Sequence, residues 1–184
     1  MKSLFIGIDP GKRGGICWIH WDNKEQTAEL HAVKCPDTYE EMWDILNIAT
    51  GSQDEDVSDI HCTIEHIWAM PWDTPKTAFT FGSNFGAWLT CLEIRGIQYE
   101  FVTPKKWQTY FSTPKLQKKE RKRWLKEMAH AHIPPENNQQ SVTFNTADAI
   151  LLAIYGKEFI NGVGMQATKE VTNLIQNSRK VSKK

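Results

Sequence analysis

The sequence predicts an α/β fold in which a five-stranded mixed sheet is flanked by helices on both faces. Three observations carry this expectation. Residues 4–9 (Leu-Phe-Ile-Gly-Ile-Asp) and 60–65 (Ile-His-Cys-Thr-Ile-Glu) are short, nearly continuous apolar runs of the kind that form buried strands, and each ends in an acid. The order of elements is three strands, a helix, a strand, a long helix, a strand and then helices, which places a sheet between helical layers. Finally, 184 residues with 40% apolar content provide for one ordinary domain with a core and hardly for two. The expected organisation is a domain over residues 1–160 and a polar, basic tail over 161–184.

Each element has a local reason. Asp9 closes the first strand, and Pro10-Gly11-Lys12-Arg13-Gly14-Gly15 supplies turn chemistry before the second arm of a hairpin at residues 16–21. A third strand over 27–33 completes a meander. Asp37-Thr38 caps a helix with Met42, Trp43, Ile45 and Leu46 on its apolar side. Glu65 ends the fourth strand as Asp9 ends the first. An aromatic loop through Trp68 and Trp72 follows, whose rings are expected in the core; stacking on nucleic-acid bases is the alternative. Thr74-Pro75 opens a long helix running to Arg95 and stopped by Gly96. Its two interior glycines, Gly82 and Gly86, each cost roughly 1 kcal/mol relative to alanine, which suggests a close approach to the sheet, to a partner helix or to DNA; simple tolerance of glycine is the alternative. A fifth strand covers 97–102, and Thr103-Pro104 starts a short helix. Residues 116–132 have helical spacing and end at Pro134-Pro135. The last apolar helix is expected to begin near Asn145, apolar on nearly every side, with Asp148 inside it; beyond Gly156 the chain turns polar, and a weak helix followed by a frayed basic tail is expected.

Composition narrows the function. No apolar run approaches the roughly 20 residues of a membrane span, and the N-terminus lacks a secretory pattern, so a cytoplasmic protein is expected. Cys17, Cys35, Cys62 and Cys91 stand apart from one another without zinc-type spacing and are expected as reduced thiols. Net charge is zero but unevenly distributed. Residues 35–75 hold no Lys or Arg, whereas 104–126 hold Lys105, Lys106, Lys115, Lys118, Lys119, Arg121, Lys122, Arg123 and Lys126 against Glu120 alone. Such a density suits DNA phosphates, and a plain solvated helix face is the alternative.

Three carboxylates define the candidate chemistry. If the first and fourth strands are parallel neighbours, Asp9 and Glu65 emerge side by side at one edge of the sheet. Asp148, in an apolar helix, needs a positive partner to stay ionised. Hard oxygen ligands without a His or Cys cluster favour Mg²⁺, with Mn²⁺ able to substitute, over zinc. Two such ions about 3.5–4 Å apart suit phosphodiester hydrolysis. Each acid taken singly has an ordinary structural explanation; together they are better explained by a metal site.

The residues at these positions resemble a known family. Ile6-Gly7-Ile8-Asp9-Pro10-Gly11 with Gly14-Gly15, Ile64-Glu65, Phe79-Thr80-Phe81-Gly82 with Phe85-Gly86, the Gly96-to-Trp107 stretch and Ala147-Asp148-Ala149-Ile150-Leu151-Leu152-Ala153 are similar to the motifs of RuvC-type Holliday junction resolvases, in particular the phage branch. The similarity spans residues 4–155. It implies a ribonuclease H-like fold and a homodimer that nicks four-way DNA junctions symmetrically, with two Mg²⁺ per active site held by Asp9, Glu65 and Asp148. It also implies a lysine near the scissile phosphate, with Lys119 or the Lys105-Lys106 pair in the matching stretch, and a phage or bacterial cytoplasmic setting. The long glycine-containing helix is the expected dimer interface, and no small-molecule cofactor is expected.

One departure stands out. The family places a second acid three or four residues before the last Asp, where this sequence has Asn145 and Phe144. Asn145 can ligate through its amide oxygen but brings no charge, so an active site of three acids, an inactive junction binder and an acid-to-amide replacement all remain open. A related metal nuclease acting on flaps, forks or RNA–DNA hybrids is a further alternative, because the same acids would serve it.

Overall fold

The computed structural model describes residues 2–51, 57–133 and 141–161. Of the expected tail, only Asn161 falls within them. Five strands, β1 (Lys2–Asp9), β2 (Gly15–Asp22), β3 (Thr27–Lys34), β4 (Val57–Glu65) and β5 (Tyr99–Val102), form one sheet in the order β3-β2-β1-β4-β5. β1 to β3 are an antiparallel meander, and β4 and β5 join parallel to β1. The helices are α1 (Tyr39–Thr50), α2 (Pro75–Ile94), α3 (Pro104–Tyr110), α4 (Lys118–His132) and α5 (Ala147–Asn161). This is the mixed α/β architecture that the sequence predicts.

The period of two along the strands sorts the core into two layers. Leu4, Ile6 and Ile8 of β1 and Ile16 and Trp18 of β2 pack under Met42 and Leu46 of α1 and Trp88 and Leu92 of α2. Phe5, Cys17 and Ile19 face the other way, onto Ile150, Leu151 and Ile154 of α5 and Trp124 and Met128 of α4. By the same parity Asp9 and Glu65 belong to the α5 face. All four cysteines are buried and free, as expected.

Close backbone packing sets where α5 lies. A Cβ on Gly7 would fall onto the Ala149 carbonyl and the Ala153 backbone, and one on Gly15 would come 2.8 Å from the Asn145 carbonyl oxygen. Gly156 sits against the Thr63 hydroxyl of β4. The helix continues without a break through Gly156 to Asn161, and this glycine serves packing. Its start is Ala147, and the Asn145 turn precedes it.

Two other expectations are corrected. Trp68 and Trp72 are 50% and 76% exposed, so they are not core residues; the loop carries them outward after β4 ends. Gly82 and Gly86 have nothing within 4 Å of an added Cβ. The sheet is therefore not what they approach, since α2 packs on it through Trp88, Cys91 and Leu92 on its other side.

Candidate active site

β1 and β4 run parallel with Ile8 opposite Ile64, so the next residues, Asp9 and Glu65, leave the sheet together at the C-terminal ends of their strands. Asp148 lies in the first turn of α5, where the helix dipole favours an anion. All three line one cavity with Pro10, Gly11, Lys12, Arg13, Gly14, Lys76, Thr77, Thr80, Lys118 and Lys122.

The electrostatics reflect this convergence. Asp9 is pushed well above the usual carboxylate range, first by burial, then by the charges of Glu65 and Asp148, with Lys122 opposing. Glu65 is raised to about 7 by burial and by Asp148, against the Trp107 hydrogen bond, Lys122 and Arg121. Asp148 is raised by burial, and Lys122 and Arg121 offset part of that. Three desolvated acids in one cavity repel one another, so the nearby cations compensate them only in part.

These side chains suit a hard divalent cation: the donors are oxygens, they are half-buried at a cavity, and they lack sufficient positive charge. They do not form a closed cage. Among the described residues no group of three His, Cys, Asp or Glu side chains is arranged as a ready metal site.

The turn that carries Asp9 is held from several sides. Gly14 donates its N–H to the Gly11 carbonyl at 2.9 Å, and Cys35 donates its N–H to the Gly14 carbonyl at 2.9 Å. A Cβ on Gly14 would fall onto the Asp9 carbonyl. Gly11 has φ +113°, open to glycine, and the Phe81 ring packs against it. Glu65 is fixed by Trp107, whose Nε1 donates to Oε1 at 2.8 Å.

No protein-family model and no curated protein matches the chain. Solved structures do. Thermus thermophilus RuvC superimposes with a TM-score of 0.56 at 16% identity, over 88% of this chain and 98% of that one. The T. thermophilus RuvC in complex with a Holliday junction substrate gives a TM-score of 0.53 at 13% identity, over 86% and 96%. The chain has the ribonuclease H-like fold of RuvC.

Within this RuvC-like fold the basic residues fall into separate places. Lys118 and Lys122 face the acids. Lys105, Lys115 and Arg121 border a neighbouring cavity of about 620 Å³ between α3 and α4. Lys106 lies over the rings of Tyr155 and Phe159. Lys119 and Arg123 are exposed on α4 and line neither cavity. Asn145 is half-buried in the turn before α5; its backbone N–H donates to the Thr143 hydroxyl at 3.2 Å, and it is not among the residues lining the acidic cavity.

Sequence reasoning missed several residues of this site. Lys12 and Arg13 read only as turn residues, Lys76 and Thr77 only as the first turn of a helix, and Thr80 only as part of the Phe79-to-Gly82 motif. Their proximity to Asp9 depends on how α2 crosses the sheet, which no local pattern encodes. The role of Trp107 toward Glu65 likewise needs the α3 placement.

Proposed function

We propose that this protein is a divalent-metal-dependent endonuclease that resolves four-way DNA junctions by symmetric nicking as a homodimer. The observation that carries the reading is the convergence of Asp9, Glu65 and Asp148 on one cation-rimmed cavity at the ends of two parallel strands. A fold shared with RuvC, which has been solved in complex with a Holliday junction substrate, supports the choice of DNA substrate.

Lys118 and Lys122, with Lys12, Arg13 and Lys76 on the same rim, draw a phosphodiester toward the acids and oppose charge developing on it. Asp9, Glu65 and Asp148 would hold two Mg²⁺ ions. The chemistry these ions supply when bound is polarisation of a water and of the scissile phosphate. Trp107 keeps the Glu65 carboxylate turned toward the cavity. Lys118 and Lys122 are better placed than Lys119 to stand beside the scissile phosphate, because they line the cavity.

The exposed side of α2 supports a dimer. Phe79 is 77% exposed, and Gly82 and Gly86 leave open space that a second helix can enter. An isologous pair of subunits matches two equivalent nicks on a pseudo-symmetric junction. A large side chain at Gly86 is expected to weaken self-association in sedimentation experiments; an unchanged dimer moves the interface elsewhere.

The deciding experiment is a nicking assay with Mg²⁺ on a mobile junction, a flap and an RNA–DNA hybrid. Paired nicks in the junction and little cleavage of the others are expected. Asp9→Asn, which removes the charge of a residue that would hold the metal, should abolish cleavage while leaving junction binding largely intact. Preference for flap or hybrid would replace the junction reading with that substrate. Absence of all cleavage, restored by Asn145→Asp, would identify the chain as a junction binder with a lost ligand.

A further inference from the structure

Asn84 of α2 does not line the acidic cavity but reaches the turn that carries Asp9. Its Oδ1 accepts the Gly11 backbone N–H at 2.7 Å, across 73 residues of sequence, and its Nδ2 donates to Cys35 Sγ at 3.4 Å. Gly11 is two residues from Asp9, in the turn whose other bonds run to Gly14 and Cys35. Gly82 and Gly86, two residues to either side of Asn84, lie on the exposed side of α2, roughly opposite in helical angle. Phe81, one turn earlier, covers Gly11.

We infer that Asn84 is a positioning residue for the Asp9 carboxylate, acting through the Gly11 amide. A turn with a glycine at positive φ has several backbone states open to it, and a fixed acceptor selects one. That state sets where Asp9 points at the strand end. Burial makes the choice strong, because an amide N–H removed from water and left without an acceptor is disfavoured. The Gly11 N–H is a donor and therefore takes the Asn84 oxygen, while Cys35 Sγ lies 3.4 Å from the amide nitrogen and 3.9 Å from that oxygen. The inference rests on the nuclease reading for its rate consequence, but its structural part does not.

The test compares wild type with Asn84→Ala and Cys35→Ala in three measurements on the full chain: hydrogen exchange at the Gly11 amide, thermal melting, and steady-state junction nicking in Mg²⁺. Asn84→Ala is expected to speed Gly11 exchange at least about tenfold, the equivalent of removing roughly one hydrogen bond. It should lower kcat about 10–100-fold, in line with a small misplacement of a reacting group, with KM within twofold. Cys35→Ala, which leaves the Oδ1 bond in place, should keep kcat within threefold. Unchanged Gly11 exchange in Asn84→Ala overturns the inference. So does a parallel loss of kcat, junction binding and melting temperature, which would mark Asn84 as ordinary core packing. If wild type nicks nothing, the nuclease reading fails, and fast Gly11 exchange in Asn84→Ala would still support the positioning contact. If wild type nicks and Asn84→Ala matches it, the nuclease reading stands and the positioning role is gone.

Discussion

The Trp107 indole donates to Glu65 Oε1 at 2.8 Å, tying the helix after β5 to the acid at the end of β4. Trp107 is fully buried, so the donor has few other orientations available. The bond favours the ionised carboxylate and holds the Glu65 pKa below where burial alone would put it. Trp107→Phe removes the donor and keeps most of the volume. A hydrogen bond to a charged group is worth about 1.5–3 kcal/mol, equivalent to roughly one to two pH units. The acidic limb of the nicking profile is therefore expected to move upward by about that amount, measured as kcat against pH at fixed Mg²⁺. A limb that stays in place while the rate falls would show that Trp107 only packs.

Glu65 also links the site to stability. Its pKa is about 7 when folded, above its ordinary value of 4.5. An acid raised in this way binds its proton more tightly in the folded state, so the resulting stabilisation is full below pH 4.5 and is lost as pH rises through about 7. Above that, the ionised carboxylate weighs against the fold in the absence of a cation. Glu65→Gln keeps an acceptor for Trp107 and removes the charge. In metal-free buffer it should melt higher than wild type at pH 8, by at least the about 2–4 °C that 1 kcal/mol represents in a chain of this size. The difference should vanish near pH 4. A Glu65→Gln protein that melts below wild type at both pH values would place Glu65 among the stabilising ionised groups, contrary to its buried surroundings.

Much of the fold was legible because each element carries its own signal. The Asp37-Thr38 cap of α1, the Thr74-Pro75 start of α2 and the apolar runs of β1 and β4 are local patterns, and the structure reproduces them. The pairing of Asp9 with Glu65 was legible for a related reason: two strands that end in acids, once parallel and in register, must deliver them together. What local pattern could not convey was the path of the helices between strands. Gly156 of α5 meets Thr63 of β4, and of the α4 lysines it is Lys118 and Lys122 that line the acidic cavity, because successive helix residues turn by about 100°. Trp68 and Trp72 read as core by composition, and only the position of their loop shows them to be exposed.

The cations should differ in their effect on DNA binding according to where they point. Lys122 lines the acidic cavity, whereas Lys106 is placed over Tyr155 and Phe159. Removing one cation from a DNA phosphate reduces the slope of log K against log salt by about 0.9 for duplex DNA. Lys122→Gln is expected to show that reduction in fluorescence anisotropy titrations with a four-way junction. Lys106→Gln should leave the slope nearly unchanged and instead lower the melting temperature slightly, because its ammonium no longer sits over the two rings. Equal slopes for wild type and Lys122→Gln would place the DNA backbone away from this cavity.

The two classes of glycine give the sharpest contrast in stability. At Gly7 an added methyl would enter the backbone of α5 at Ala149 and Ala153, and neither a strand nor a helix backbone can yield as a flexible side chain does. Overpacking of this kind costs about 1–3 kcal/mol and often more where backbone must shift. Because α5 carries Asp148, Gly7→Ala should also reduce nicking more than its stability loss accounts for, as the helix is displaced from the strand ends. At Gly82 the methyl meets open space, and alanine in a helix gains roughly 0.5–1 kcal/mol over glycine. Gly82→Ala should therefore stabilise the isolated chain in urea titrations at low protein concentration. At high concentration that gain should shrink, since a methyl there narrows the space open to a second α2. A gain that is independent of concentration would mean that Gly82 lies outside any interface between copies.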